Sequence, residues 1–264
     1  MIDEIPKKIW QTHMYPDRDS LPLYMKGPSF SWSELNPDFS YRYISKEERE
    51  SFISEYHDKD WLLIFRLADS QITQSEIWRL LCLYEDGGVY ADIDTVCINE
   101  IQSFVDMRAD FVIESWVVNN SQDGSNQNNR LITDTEGVLR EVTNSVFATK
   151  PHGRFISLLV KTIKEKCLNQ IASGNLNIHI DLTGPQSYAG TYMSNHEAKE
   201  YARFFDQENI IELTGSVNWN DFRRTSEPFR FSELDSAYGD ISLDTQNEIK
   251  FFRNSGHGGF TYDK

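Results

Sequence analysis

Gly87-Gly88-Val89-Tyr90-Ala91-Asp92-Ile93-Asp94 is a short apolar run that opens on two glycines and closes on two acids. Glycine adopts left-handed backbone angles at little cost, so the pair ends whatever helix precedes it. Val89 to Ile93 then reads as a strand. Residues two apart on a strand point to the same side, and a bend at the strand end can aim Asp92 and Asp94 at one cation. Open α/β sheets bind ligands outside the carboxyl ends of their strands. Asp-x-Asp at that place offers hard oxygen ligands. Mg2+ and Mn2+ prefer such ligands and complete their shells with phosphates and water. Two acids at this spacing also describe a solvated turn. The context favours a site, because acids ending a buried strand are costly unless paired or metal-bound.

Upstream, Gln71 to Tyr84 is the strongest helical pattern in the chain: Ile77, Leu80, Leu81 and Tyr84 share one face. Ile5 to Thr12 reads as a first strand. Pro16 to Pro28 reads as a loop, and Ser29 to Leu35 as a short helix ended by Asn36-Pro37. Ser40 to Ile44 is a strand by its alternation. Ser45 with Glu48 forms a capping box for a helix over 46–56. Downstream, Ala109–Ser115, Ser145–Thr149 and Asn209–Leu213 read as strands and Gly153–Ile171 as a helix. Asn119–Asn129 is a polar loop, and Pro185 suits a helix start. Strands alternating with helices predict an α/β sheet covered on both faces. With neither repeat nor linker, the expected architecture is one Rossmann-like domain with a variable C-terminal half.

The 264 residues carry 26 basic and 41 acidic side chains, a net charge of −15, which argues against nucleic acid as a partner. A diphosphate would need a local cation. Cys82, Cys97 and Cys167 form no zinc pattern and suit a reducing compartment. No run reaches the roughly 18 apolar residues of a membrane span, and the acidic N-terminus is no signal peptide. These features predict a cytoplasmic chain, or a catalytic part anchored elsewhere, with peripheral membrane association left open.

Ser75-Glu76-Ile77-Trp78-Arg79-Leu80-Leu81-Cys82-Leu83-Tyr84-Glu85-Asp86-Gly87-Gly88-Val89-Tyr90-Ala91-Asp92-Ile93-Asp94 resembles glycosyltransferase family 32, the DXD sugar transferases that include fungal α-1,6-mannosyltransferases and bacterial capsule enzymes. Ile5-Pro6-Lys7-Lys8-Ile9-Trp10-Gln11-Thr12 resembles that family's opening. Trp32 with Asn36-Pro37 resembles a further element, and Asn144, Thr183-Gly184-Pro185 and His257 are weaker echoes. The chain departs from the pattern at Glu76, where the family has Asp, at Leu80, where it has Tyr, and in the exchanged Trp10 and His13. These departures bear on donor identity.

The resemblance implies a GT-A fold, with residues 1–100 as the nucleotide-sugar half and residues 101–264 as acceptor side and C-terminal lid. It implies a metal-dependent retaining transfer of a hexose from GDP-mannose or a UDP-hexose to a glycan or polysaccharide hydroxyl. Mn2+ or Mg2+ would be the cofactor. Asp94 would bind the metal, and Asp92 the ribose or sugar, or the metal through water. Glu76 and Arg79 would grip donor-sugar hydroxyls, against the alternative of a surface i,i+3 ion pair. Trp10 and Gln11 would border the nucleobase, against a core reading of Trp10. Gly88 would let the backbone approach the donor, Asn144 would contact donor or acceptor, and His257 would complete the metal shell from a glycine-rich tail. A non-catalytic nucleotide-sugar-binding protein and a metal-dependent phosphohydrolase are the alternatives.

Overall fold

A computed structural model describes residues 3–118 and 129–212. The chain begins with β1 (Lys8–Thr12), α1 (Leu23–Leu35), β2 (Ser40–Ile44), α2 (Lys46–Tyr56), α3 (Lys59–Arg66) and α4 (Gln71–Asp86). β3 (Gly88–Ala91), β4 (Thr95–Cys97), α5 (Ile101–Phe104), β5 (Phe111–Val117), β6 (Leu131–Thr133) and β7 (Leu139–Thr149) follow. The rest is α6 (Arg154–Ala172), α7 (Ile180–Thr183), α8 (Pro185–Ser194), α9 (Ala198–Tyr201), β8 (Ala202–Asp206) and β9 (Ile210–Glu212).

The main sheet runs β2-β1-β3-β7-β5-β8, with β6 paired to β7. β1 is parallel to β2 and β3, while β7 is antiparallel to both β3 and β5. This is the α/β architecture expected, with one sheet that crosses the division expected at residue 100. Alternate residues of β3 enter two cores. Val89 and Ala91 join Ile9, Trp32, Val146 and Ile101 on one face. Tyr90 joins Trp10, Trp78, Leu80 and Phe147 on the other. A strand covered on both faces is apolar at every position, which is why Val89–Ala91 shows no alternation.

Several elements match their sequence signals closely. β2 has the expected bounds, and α2 carries the expected capping box: Ser45 Oγ accepts from Glu48 N, and Glu48 Oε2 accepts from Ser45 N. α4 ends at Gly87, whose φ is 64°. Two readings change. Residues 23–28 are helix and not loop, because α1 starts just after Pro22 and carries Pro28 inside it. An internal proline forgoes one backbone bond; burial of Met25 and Trp32 offsets it, at about 1.5–3 kcal/mol per large apolar side chain. α3 had not been expected. Its Asp58 cap accepts from Asp60 N and Trp61 N, and Trp61, Ile64 and Phe65 bury one face.

Candidate active site

β3 delivers the two acids just past its carboxyl end, beside the carboxyl end of its parallel neighbour β1, which pairs in turn with parallel β2. Asp92-Ile93-Asp94-Thr95 is a tight turn: Thr95 N donates to Asp92 O at 3.1 Å and Thr95 Oγ1 at 2.6 Å. The apolar Ile93 between the acids packs inward with Leu21 and Met25. Both carboxylates stay half-exposed. The sequence thus anchors the turn through Ile93 and leaves its acids at the surface.

Asp92 follows Tyr90 on the same strand face. Tyr90 OH donates to Asp92 Oδ1 at 2.6 Å, and Arg79 Nη1 donates to the same oxygen at 2.9 Å. Arg79 also pairs with Glu76 one turn earlier on α4, and its guanidinium lies 4.9 Å from the Tyr90 ring centre. Glu76 Oε2 in turn accepts from Asn144 Nδ2 at 2.6 Å, across from β7. Asn144, Glu76, Arg79 and Asp92 therefore form one continuous polar chain from the core to the turn.

Burial decides what kind of ion pair this is. Glu76 is 5% exposed and Arg79 2%, so the surface-pair alternative falls. Burial pushes the Glu76 carboxyl up to about 7; Arg79 and Asn144 oppose that rise and the charge of Asp92 adds to it. Burial opposes the charge on Arg79 too, but Glu76 and Asp92 outweigh it and hold the guanidinium protonated. Among the described residues, Arg79 Nε has no hydrogen-bond acceptor. A buried donor left unfilled calls for an explanation, and a ligand is one. In this geometry Asp92 faces outward, and Glu76 and Arg79 stand behind it.

Other expected site residues lie elsewhere. Trp10 is a core side chain: its ring meets Trp78 edge-on at 6.5 Å, and its Nε1 donates to Gly87 O at 2.9 Å. Of its two sequence readings, the structure shows the core one. Gly88 sits at the opposite end of β3 from Asp92. A Cβ there would lie 2.7 Å from Lys8 O, so the glycine is required by close approach of β1 and not by a donor. Gln11 is fully buried behind the turn. His257, and residues 119–128 of the polar loop expected at Asn119–Asn129, lie outside the described residues.

The Trp32 and Asn36 element proves to hold the strand that leaves the turn. Trp32 Nε1 donates to Thr95 O at 2.9 Å, Ser31 Oγ accepts from Cys97 N at 2.9 Å, and Asn36 Oδ1 accepts from Ile101 N at 2.8 Å. β4 pairs on its far side with β9, which sets Glu212 opposite Thr95. Two residues had drawn no role from the sequence. Tyr90 could have been found, since i,i+2 spacing puts it on the face of Asp92. Tyr188 on α8 is buried beside this polar chain, where burial raises its hydroxyl pKa; no local signal marks it.

The turn brings together two carboxylates of the hard-oxygen type that Mg2+ and Mn2+ prefer. The hydrogen bonds from Arg79 and Tyr90 both fall on Asp92 Oδ1, and Asp94 stands two residues on. No group of three His, Cys, Asp or Glu residues forms among the described residues. The remaining positions on such a cation would fall to phosphate oxygens, water or a residue beyond that set. Mg2+ and Mn2+ accept this arrangement.

The same stretch lies inside a match to a family model. Residues 22–119 match the model of the glycosyltransferase sugar-binding region containing DXD motif. This is the family that Ser75–Asp94 resembles in sequence, and its matched span includes Glu76, Arg79, Asp92 and Asp94. The chain is similar to the initiation-specific alpha-1,6-mannosyltransferase of Candida albicans, 28% identical over 103 residues, 38% of this chain and 27% of that protein. It is also similar to inositol phosphoceramide mannosyltransferase 2 of Schizosaccharomyces pombe, 26% identical over 61% of this chain and 39% of that protein. These alignments span less than half of either relative's length. Among solved structures, the glycosyltransferase domain of the YGT toxin is similar over 94% of this chain and 89% of that one, at 10% identity and a TM-score of 0.49, a likeness too distant to carry an argument.

Proposed function

We propose that this chain is a GT-A glycosyltransferase that moves a hexose from a nucleoside-diphosphate sugar to a glycan or polysaccharide hydroxyl, with Mn2+ or Mg2+ as cofactor. The observation that carries the reading is the polar chain Asn144–Glu76–Arg79–Asp92 ending at a half-exposed acidic turn, inside the segment that matches the DXD family. GDP-mannose is the first donor to try, because the matched fungal relatives are named mannosyltransferases; UDP-hexoses come next.

Asp94 would hold the cation beside Asp92, one of whose oxygens accepts from Arg79 and Tyr90. Asp92 would accept from a ribose or sugar hydroxyl through its other oxygen, oriented by those two neighbours. Arg79 and Glu76 would back it and meet the sugar only by exchanging a protein contact for a ligand one. The cation supplies electrostatic stabilisation of the departing diphosphate. The leaving phosphate would accept the acceptor's proton as it attacks from the same face, so configuration is retained and no protein base is named. His257 as a further ligand and a cytoplasmic setting belong to the same proposal; for the setting, the support is three buried free thiols. No helix among the described residues is long and apolar enough to cross a membrane.

Turnover of GDP-mannose and a UDP-hexose panel in Mn2+ tests this reading. Donor hydrolysis or transfer by the wild-type chain is expected, falling at least about a hundredfold in EDTA or in Asp92→Ala/Asp94→Ala, with circular dichroism checking that the variant stays folded. Full activity in EDTA would sink the metal role. Donor binding without turnover would favour a non-catalytic binding protein. A phosphorylated aspartate would favour a phosphohydrolase.

A further inference from the structure

Gln11 has no surface of its own, yet every polar atom of its amide is engaged around the acidic turn. Its Nε2 donates to Asp92 O at 3.1 Å. Its Oε1 accepts from Ser29 Oγ at 2.8 Å and from Tyr41 OH at 2.7 Å. β1 and β2 pair with Ile9 opposite Tyr41 and Gln11 opposite Tyr43, so the Tyr41 hydroxyl reaches Gln11 diagonally on one sheet face. Ser29 stands on α1 and accepts from Arg18 Nε at 2.9 Å. The Arg18 guanidinium is held between the Phe30 and Tyr41 rings, 3.8 Å from each centre. One element after another thus converges on a single backbone carbonyl.

That carbonyl belongs to the first residue of the turn, and it is gripped by Gln11 from one side and Thr95 from the other. The Asp92 side chain is gripped separately, by Arg79 and Tyr90 on the opposite face of the sheet. Fixing a carboxylate against a cation requires both its backbone and its side chain to be set, since supporting shells govern site geometry.

We infer that Gln11 is a positioning residue: its amide, oriented by Ser29 and Tyr41, sets the backbone of the Asp92–Thr95 turn and hence the distance between the two carboxylates that receive the cation. It does so without touching donor or metal. This inference rests on the metal-binding reading of the turn.

The test is Mn2+ binding, followed by the paramagnetic signal of free Mn2+ in the presence of UDP and, separately, GDP. Gln11→Glu is nearly isosteric but turns a donor into a carboxylate oxygen that faces the Asp92 carbonyl. Positioning predicts weaker Mn2+ binding, by about tenfold, the scale of one buried hydrogen bond lost. Added negative charge acting by Coulomb attraction alone predicts tighter binding, so the sign separates the two. Tyr41→Phe keeps the ring against Arg18 and deletes the hydroxyl that donates to Gln11 Oε1 and lies 3.0 Å from Ser29 Oγ; about threefold weaker binding is expected in the folded variant. It decides the matter should Gln11→Glu fail to fold. Wild-type affinity in Tyr41→Phe, or tighter binding in Gln11→Glu, overturns the positioning role while the metal reading stands. A wild-type chain that holds no Mn2+ with either nucleotide overturns both.

Discussion

Arg79 sits between two carboxylates of different character. Glu76 is buried and hydrogen-bonded by Asn144; Asp92 is 35% exposed and hydrogen-bonded by Tyr90. A buried ion pair adds little net stability, but breaking one strands a charge at about 3–5 kcal/mol. Arg79→Met is therefore expected to lower urea stability by that order, whereas an exposed i,i+3 pair would cost under about 1 kcal/mol. The pH dependence has a definite sign. Glu76 titrates at 4.5 when unperturbed and about 7 in the folded chain, so between those values the folded state holds a proton that the unfolded state releases. Its contribution to stability is full below the lower value and is lost as pH rises through the higher one. Glu76→Gln should flatten that decline in urea titrations across the window, and an unchanged slope would place the titration elsewhere. The residue pairings were partly legible: i,i+3 spacing puts Glu76 beside Arg79, and the strand period puts Tyr90 beside Asp92. Their burial was not, because it involves Asn144 of β7 and Tyr188 of α8, which arrive from far along the chain.

At the scale of elements, α4 and β3 act as one device. The helix presents Glu76 and Arg79, Gly87 turns the chain, and β3 returns Asp92 to them. Gly87 has φ 64°, and a Cβ there would lie 2.6 Å from Pro151 Cδ, 2.8 Å from Pro151 N and 2.9 Å from Pro6 Cδ. Gly87→Ala combines left-handed strain with overlap, so a loss of about 2 kcal/mol or more is expected in a urea melt; a neutral change would show that the turn relaxes freely. Helices with local punctuation were legible. The Ser45–Glu48 box fixed the start of α2, and Gly87 fixed the end of α4. α1 was obscured because two prolines in seven residues read as loop, while tertiary burial of Met25 and Trp32 overrode that signal. α3 had its cap and apolar spacing in plain view at Asp58, Trp61, Ile64 and Phe65. The direction of Trp10 was not legible: strand alternation gives it one of two faces without saying which carries the site.

Over the whole molecule, a chain of net charge −15 repels a diphosphate. On the proposed reading the acidic turn would resolve this by recruiting a cation, since the Arg79 charge is already paired with Glu76 and Asp92. Nucleotide-sugar binding should therefore depend on divalent metal far more than on any basic patch. The chain's fold class and the place of the turn followed from alternating elements and strand-end chemistry. The mixed sheet, with antiparallel β7 between β3 and β5, did not, since long-range pairing leaves no local mark. The most direct test of the central claim is calorimetric titration of GDP-mannose and UDP-hexoses into wild-type chain and Asp94→Asn, with Mn2+ and with EDTA. One donor is expected to bind the wild type in Mn2+ and to lose at least about a hundredfold in affinity in EDTA or in Asp94→Asn. Equal affinity in all conditions, or no binding by the wild type to any donor, would contradict the account.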